Sequence, residues 1–490
     1  MSRVANADHP PRSPARSVRS WLILLPVLLL AVGLGALVAS GSSGRILLTV
    51  GFPVWCFLAY RYPMVGIAVL AAGQFLLRSL VGGVVVLSRG STSGSTVVIG
   101  AMLLLPLVLA ALTKGDLGRV RMVFQENRLV MWPLLIMSAA ILIGYYLGPT
   151  HYGQLKLIAY VGLNLPLLVL PLFLIRTESD ARQLVVAIVV VSSFTMAASL
   201  IGSSPVWTQS ALRGTNTAVG QIADQNVDVG TWFARRVGIG GLAAIAVLLA
   251  TRARRPYLYW GAAAILFTGV GLAASRGPVL GCVLALLFML AIPRRIQARR
   301  GVRLAIASVV VIAALGVLTY LPSQFANRYS TTFSFSDSSL QARFSDLQLS
   351  ERLIKQAPLT GVGLGHYPIA IWGADRVVYP HSIVLEFATE LGIPIAIVLL
   401  LMVGGTVRSA LVGLWRSKRP WVRALALCAI GMLVLSFVDA QLSGDLRTNE
   451  HIWMAAGLAV AAGHLGRHPQ RSAPPTPTPT ERRLAMAGQP

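Results

Sequence analysis

The chain has 490 residues, of which 55% are hydrophobic and only 12% charged, and its formal net charge is +25. Soluble domains carry about 25% charged residues, so this composition excludes an ordinary soluble fold and points to a membrane protein. The positive charge is gathered in short runs between apolar stretches. That pattern orients membrane helices and argues against nucleic acid as a partner.

The first segment, Met1 to Ser20, is polar and carries Arg3, Arg12, Arg16 and Arg19. It reads as a basic cytoplasmic tail. The apolar run Trp21 to Ala39 follows, and because many further apolar runs come after it, it reads as an uncleaved first span and not as a removed signal. A spanning helix needs about 20 apolar residues, and about 12–14 candidates can be placed along the chain. They begin near Trp21, Ile46, Pro63, Val97, Leu129, Leu155, Arg182, Val237, Tyr257, Pro278, Leu304, Ile383, Ala424 and His451. The predicted fold is therefore all-α, a polytopic membrane helical bundle occupying residues 21–466. Backbone polar groups in lipid must be bonded within the segment, which is why the spans are expected to be helices.

With the N-terminus in the cytoplasm and sides alternating, the runs Arg252-Arg254-Arg255, Arg294-Arg295-Arg299-Arg300-Arg303 and Arg416-Lys418-Arg419-Arg423 all fall inside. The expectation is a multi-pass inner-membrane protein with both termini cytoplasmic. The end, 467–490, contains alternating Pro and Thr and reads as a disordered tail. Cys56, Cys282 and Cys428 all lie in apolar segments and read as small core residues, with no disulfide or metal-site spacing.

Two outer loops are long enough to carry a function: Gly202 to Arg236 and Leu321 to Ser382. The second is the large late periplasmic loop. It opens a capping-box pattern at Ser338 and Gln341, then repeats Leu340, Phe344, Leu347, Ile354 and Ala357 at helical spacing, and Pro358 ends the pattern. An amphipathic helix is predicted there, lying on the membrane surface or capping the bundle.

Several residues near the outer face can carry chemistry. Arg276, in Ser275-Arg276-Gly277-Pro278, sits between two spans, where a guanidinium is expensive and offers a fork for phosphate oxygens. The bland alternative is an arginine that reaches to lipid headgroups. His381 ends the large loop, with Glu386 and Glu390 following at helical spacing; histidine is the side chain best suited to accept a proton near neutral pH. Gly361, Gly363 and Gly365 alternate through a stretch that is not a dinucleotide fingerprint and reads as a tight turn, able to bring backbone close to a ligand. Arg343 lies on the polar side of the predicted amphipathic helix. Arg235 and Arg236 close the first outer loop, and Asp445 and Arg447 lie in a short outer loop near the end. No close carboxylate pair suggests a two-acid hydrolase.

In this order, these residues resemble the O-antigen ligase and O-antigen polymerase superfamily. The matching parts are Ser275-Arg276-Gly277; Ser339 to Arg343, followed by Pro358 to Gly365; and Pro380-His381-Ser382 with Glu386, Glu390, Leu391 and Gly392. The resemblance runs from about Arg235 to Pro394. It implies a glycosyltransferase with no cofactor and no metal, using an undecaprenyl-diphosphate-linked glycan as donor at the periplasmic face. The acceptor it implies is either a second glycan or a lipid anchor. It also implies roles: His381 as general base on the acceptor hydroxyl, and Arg276 and Arg343 on the diphosphate. Arg236, Gly363, Gly365 and Glu386 are expected around the substrate, with Glu386 able to orient the histidine. The family pattern commonly has Asn where this chain has Ser382, which leaves any amide role at that position in question. Polymerisation and ligation both stay open, with a lean to polymerisation because no residue points to a particular anchor. A flippase for lipid-linked oligosaccharide is the rival reading, and paired repeats with broken midplane helices would be its signature.

Overall fold

The computed structural model describes residues 52–73, 104–114, 117–201, 229–273, 275–292 and 338–468. The spans expected near Trp21 and Leu304, most of the first outer loop, the start of the second and both tails lie outside these residues. Among the described residues the chain is helical, with no strand. The helices are, in order, α1 (Phe52–Arg61), α2 (Pro63–Gly73), α3 (Leu104–Lys114), α4 (Leu117–Glu126), α5 (Arg128–Leu147), α6 (His151–Leu174), α7 (Glu178–Ile201), α8 (Val229–Ala250), α9 (Pro256–Leu272), α10 (Arg276–Ala291), α11 (Ser338–Gln356), α12 (Tyr367–Trp372), α13 (Ile383–Glu390), α14 (Ile393–Arg416), α15 (Pro420–Ala440) and α16 (Glu450–Arg467).

Six of these, α5, α6, α7, α8, α14 and α15, are long and apolar enough to cross a membrane. The bent pair α1 and α2 gives a seventh if counted as one span, and α3, α9 and α10 are shorter apolar helices. The chain is a multi-pass membrane protein. Large apolar side chains such as Leu135, Ile136 and Ile143 on α5, and Ile397, Leu400 and Leu401 on α14, stand exposed at helical spacing. A bundle that meets lipid presents such stripes, because lipid tails are as apolar as the side chains themselves.

The innermost helix is α16, buried from Glu450 through Gly466. It packs against α6, α14 and α15. Close approach depends on small residues: a Cβ on Gly457 would stand 2.3 Å from the Leu168 carbonyl oxygen.

Two expectations need correction. The span expected to begin at Ile383 is broken: α13 ends at Glu390, and the crossing helix α14 starts at Ile393. Gly392 has φ +90°, and a Cβ there would meet the Leu359 carbonyl oxygen at 2.3 Å, so the chain turns where only glycine fits. Pro394 then opens α14 as a first-turn proline. The other correction concerns Arg235 and Arg236. They do not close the outer loop; α8 begins at Val229, so both lie well inside a helix and are buried.

The predicted helix of the large loop is present as α11, Ser338 to Gln356, ending before Pro358. Phe344 and Leu347 stand exposed, whereas Leu353 and Ser350 are buried and the helix packs on α13.

Candidate active site

His381 lies in the segment that joins α12 to α13, and its φ is +54°. Among the described residues it is the single non-glycine residue with positive φ. A left-handed conformation at a residue with a Cβ costs on the order of 1–3 kcal/mol and persists where the surroundings over-determine it. The next residue supplies part of that determination. Ser382 caps α13 by accepting from the Leu385 amide at 3.4 Å, and its hydroxyl donates to Gln441 Oε1 at 2.8 Å. Ser382 thus ties the histidine segment to the end of α15.

The imidazole packs edge-on against Tyr379, with centroids 4.8 Å apart, and its Nε2 is 3.9 Å from Asp346 Oδ2 on α11. The His381 side chain is 41% exposed and that of Asp346 13%. The Tyr367 hydroxyl donates to the other Asp346 oxygen at 3.4 Å. Burial pushes the Asp346 carboxyl above its ordinary range, while His381 and the Tyr367 hydroxyl pull it back. Arg343 precedes Asp346 by three residues, so the two share a face of α11. Arg343 is half-buried.

Arg276 opens α10 and is also half-buried. The preceding Ser275 shares a hydrogen bond of 2.6 Å with Thr231 of α8. Gly277 lies against Asp439, where a Cβ would stand 2.2 Å from the carboxylate. Asp439 in turn pairs with Arg235, whose Nε donates to it at 2.7 Å and whose Nη1 donates to the Thr448 carbonyl at 2.7 Å. Gln441, the partner of Ser382, follows Asp439 by two residues. The end of α15 therefore links the Ser-Arg-Gly motif on one side to the histidine segment on the other.

Below His381 the character changes. Glu386 and Glu390 point into the protein, onto Lys156 of α6. Lys156 Nζ is 2.5 Å from Glu386 and 2.7 Å from Glu390, and it lies over the Tyr152 ring at 4.2 Å. Glu386 also accepts from the Leu446 amide at 2.9 Å, and Glu390 from the Gly365 amide at 2.9 Å. The Tyr152 hydroxyl donates to Asp445 at 2.6 Å, and Arg447 pairs with the same carboxylate at 2.7 Å. Burial alone would raise the Asp445 carboxyl, but Arg447, Lys156 and Tyr152 hold it below its usual range. These contacts place Glu386 in a buried ionic cluster that pins α13, α6 and the loop before α16 together.

The glycines belong to the same packing. Gly361, Gly363 and Gly365 all have positive φ. A Cβ on Gly365 would stand 2.3 Å from the Gly153 amide nitrogen, so its close approach is to α6. Gly363 lies against the His366 ring and donates its amide to the Glu390 carbonyl. Arg236 is likewise engaged, with Glu450 at 2.9 Å and the Trp232 ring at 5.7 Å.

Residues 261–400 match the family model for O-antigen ligase. The match supports the resemblance of this segment to the O-antigen ligase and polymerase superfamily. That likeness supports a membrane enzyme that transfers glycans in surface polysaccharide synthesis. No curated protein matches the chain significantly. The matched segment holds Arg276, Arg343, Asp346, His381, Glu386 and Glu390; Lys156 and Asp439 contact it from outside, and the pairs Arg235–Asp439 and Arg236–Glu450 lie beyond it.

Sequence reasoning missed Lys156, Asp346, Asp439 and Glu450. A signal existed for Lys156 and Asp439: each is a lone charge inside an apolar run, which marks a functional or paired residue by default. Asp346 carried no such signal, because one acid on a polar helix face looks solvated.

Proposed function

We propose that this protein transfers a glycan from a polyprenyl-diphosphate-linked donor to a hydroxyl acceptor at the outer face of the cytoplasmic membrane, with both termini inside. The reading rests on His381: a half-exposed imidazole in a strained backbone, beside a carboxylate on the helix that also carries Arg343. In the reaction, the acceptor oxygen attacks the anomeric carbon of the donor glycan. The new glycosidic bond forms as the bond between that carbon and the diphosphate oxygen breaks. His381 takes the hydroxyl proton, and Asp346 stabilises the imidazolium that results. The lipid diphosphate departs with the bonding electrons, and Arg276 and Arg343 bind its oxygens. Such forked donors are strongest in a partly dry site, and they act on charge that grows in the transition state. Glu386, Arg236 and the glycine turn act behind this layer by holding the elements that carry it.

The test is reconstitution of the purified protein with a lipid-diphosphate-linked oligosaccharide, without added divalent metal, and separation of products on a gel. Wild type is expected to give a product and His381→Ala none. A ladder of lengths means polymerisation; one discrete species joined to an anchor lipid means ligation. Movement of donor across the bilayer with no new bond overturns the transferase reading in favour of a flippase.

A further inference from the structure

At the end of α16 remote from Glu450, a second cluster of polar groups meets. His464 and His468 are one helical turn apart, and Glu126, the last residue of α4, reaches between them. Glu126 Oε2 is 2.9 Å from His464 Nδ1, and Oε1 is 2.5 Å from His468 Nε2. The imidazole centroids are 4.8 Å apart, and one donor atom from each of the three residues lies within 4.8 Å of the others. The side chains are 7% (His464), 22% (Glu126) and 54% (His468) exposed, so the cluster is closed toward the bundle and open on one side. It lies about 21 Å along α16 from Glu450, at 1.5 Å per residue, and so belongs to the opposite end of the bundle from His381. Arg419, from a basic run, donates to the His468 carbonyl, which places the cluster on the basic face of the molecule.

The geometry points to a site for a divalent transition cation, with Glu126, His464 and His468 as ligands. The two imidazoles present different nitrogens, Nδ1 and Nε2, toward one carboxylate. In the metal-free cluster those nitrogens and the carboxylate share protons. A cation replaces the shared protons, because the same lone pairs then converge on it. Two imidazole nitrogens and one carboxylate oxygen form a set that suits Zn²⁺, with water completing the tetrahedron at the open side. The distances require only small side-chain adjustments to bring each donor to about 2.0–2.2 Å from the ion. Arg467 also touches Glu126, at 3.3 Å, but it has a second acceptor in Asn127 Oδ1 at 3.2 Å. It can keep that bond when the carboxylate turns to the metal. The bound ion would clamp the end of the innermost helix to α4. Its role is structural, and it takes no part in the transfer step.

The test uses tag-free, full-length protein in detergent, incubated with Zn²⁺, desalted and assayed for metal by mass spectrometry, with Co²⁺ absorption as a second probe. One zinc per chain is expected, together with the intense visible bands of a tetrahedral cobalt site. His468→Ala and Glu126→Gln are expected to weaken binding by at least about 10–100-fold. His468 is exposed, so its alanine variant is expected to stay monodisperse and to retain glycan transfer. Folded wild-type protein that retains no zinc overturns the proposal, as does zinc binding that both substitutions leave unchanged. Either failure leaves the transferase reading untouched, since that reading is measured without added metal.

Discussion

His381 and Lys156 both lie beside α13, and they are held in opposite ways. His381 stands half-exposed, with one carboxylate at 3.9 Å and one aromatic edge beside it. Lys156 has no exposure and two carboxylates within 2.7 Å. The contrast separates two uses of charge in one small region. A charge enclosed by opposite charges is a fastening, because removing a partner strands an ion in a dry interior. A titratable group that keeps an open side is available to a substrate. Proximity to the site therefore does not by itself make Glu386 a substrate contact.

The comparison can be broken from either side. His381→Ala should reduce the transfer rate by about 10²–10⁴-fold, the usual worth of a placed base, with little change in thermal unfolding. Lys156→Met should do the reverse in kind: about 3–5 kcal/mol of stability lost, read by thermal unfolding in detergent. Adding Glu386→Gln and Glu390→Gln to that variant should recover part of the loss, because the stranded carboxylates are then neutral. If Lys156→Met unfolds like wild type but abolishes transfer, the buried cluster is chemical and the distinction fails. Asp346→Asn should sharpen the picture with a smaller effect. A half-exposed ion pair is worth about 0.2–1 kcal/mol, so kcat should fall by no more than about fivefold with KM unchanged. At Ser382 an effect of similar size is expected on stability alone. Ser382→Ala should cost about 1 kcal/mol through the lost cap, and Ser382→Asn should restore most of it, as judged by unfolding temperature.

Much of this architecture was legible in the sequence. The apolar runs and the basic runs between them mark the helices, and α11 is announced by its capping pattern and by Pro358. The break at Gly392 was not legible, since Leu391-Gly392-Ile393 reads as continuous apolar sequence and only the approach of the Leu359 backbone makes it a turn. Arg276, Arg343 and His381 came to attention through the order of motifs. The ionic fastening could not be read in the same way. Lys156 and Glu390 are 234 residues apart, and Arg235 and Asp439 are 204 apart. A local window sees each as an isolated charge that ought to end a span. This is also why Arg235 and Arg236 were assigned to a loop: the partners that make them acceptable inside a helix lie far along the chain.

The enclosure of α16 bears on how the protein is made. This helix is not among those long and apolar enough to cross a membrane by their own composition, and it carries Glu450, His451, His464 and Arg467. It tolerates them because neighbouring helices surround it from Glu450 to Gly466. Such a segment has no reason to leave the insertion machinery for lipid while it is alone. Its entry into the membrane must draw on helices already in place, above all α6, α14 and α15. Cutting the chain before Glu450 would then remove more than one helix's worth of order, and would take from the buried Arg236 its Glu450 partner, a defect that a quality-control protease could recognise.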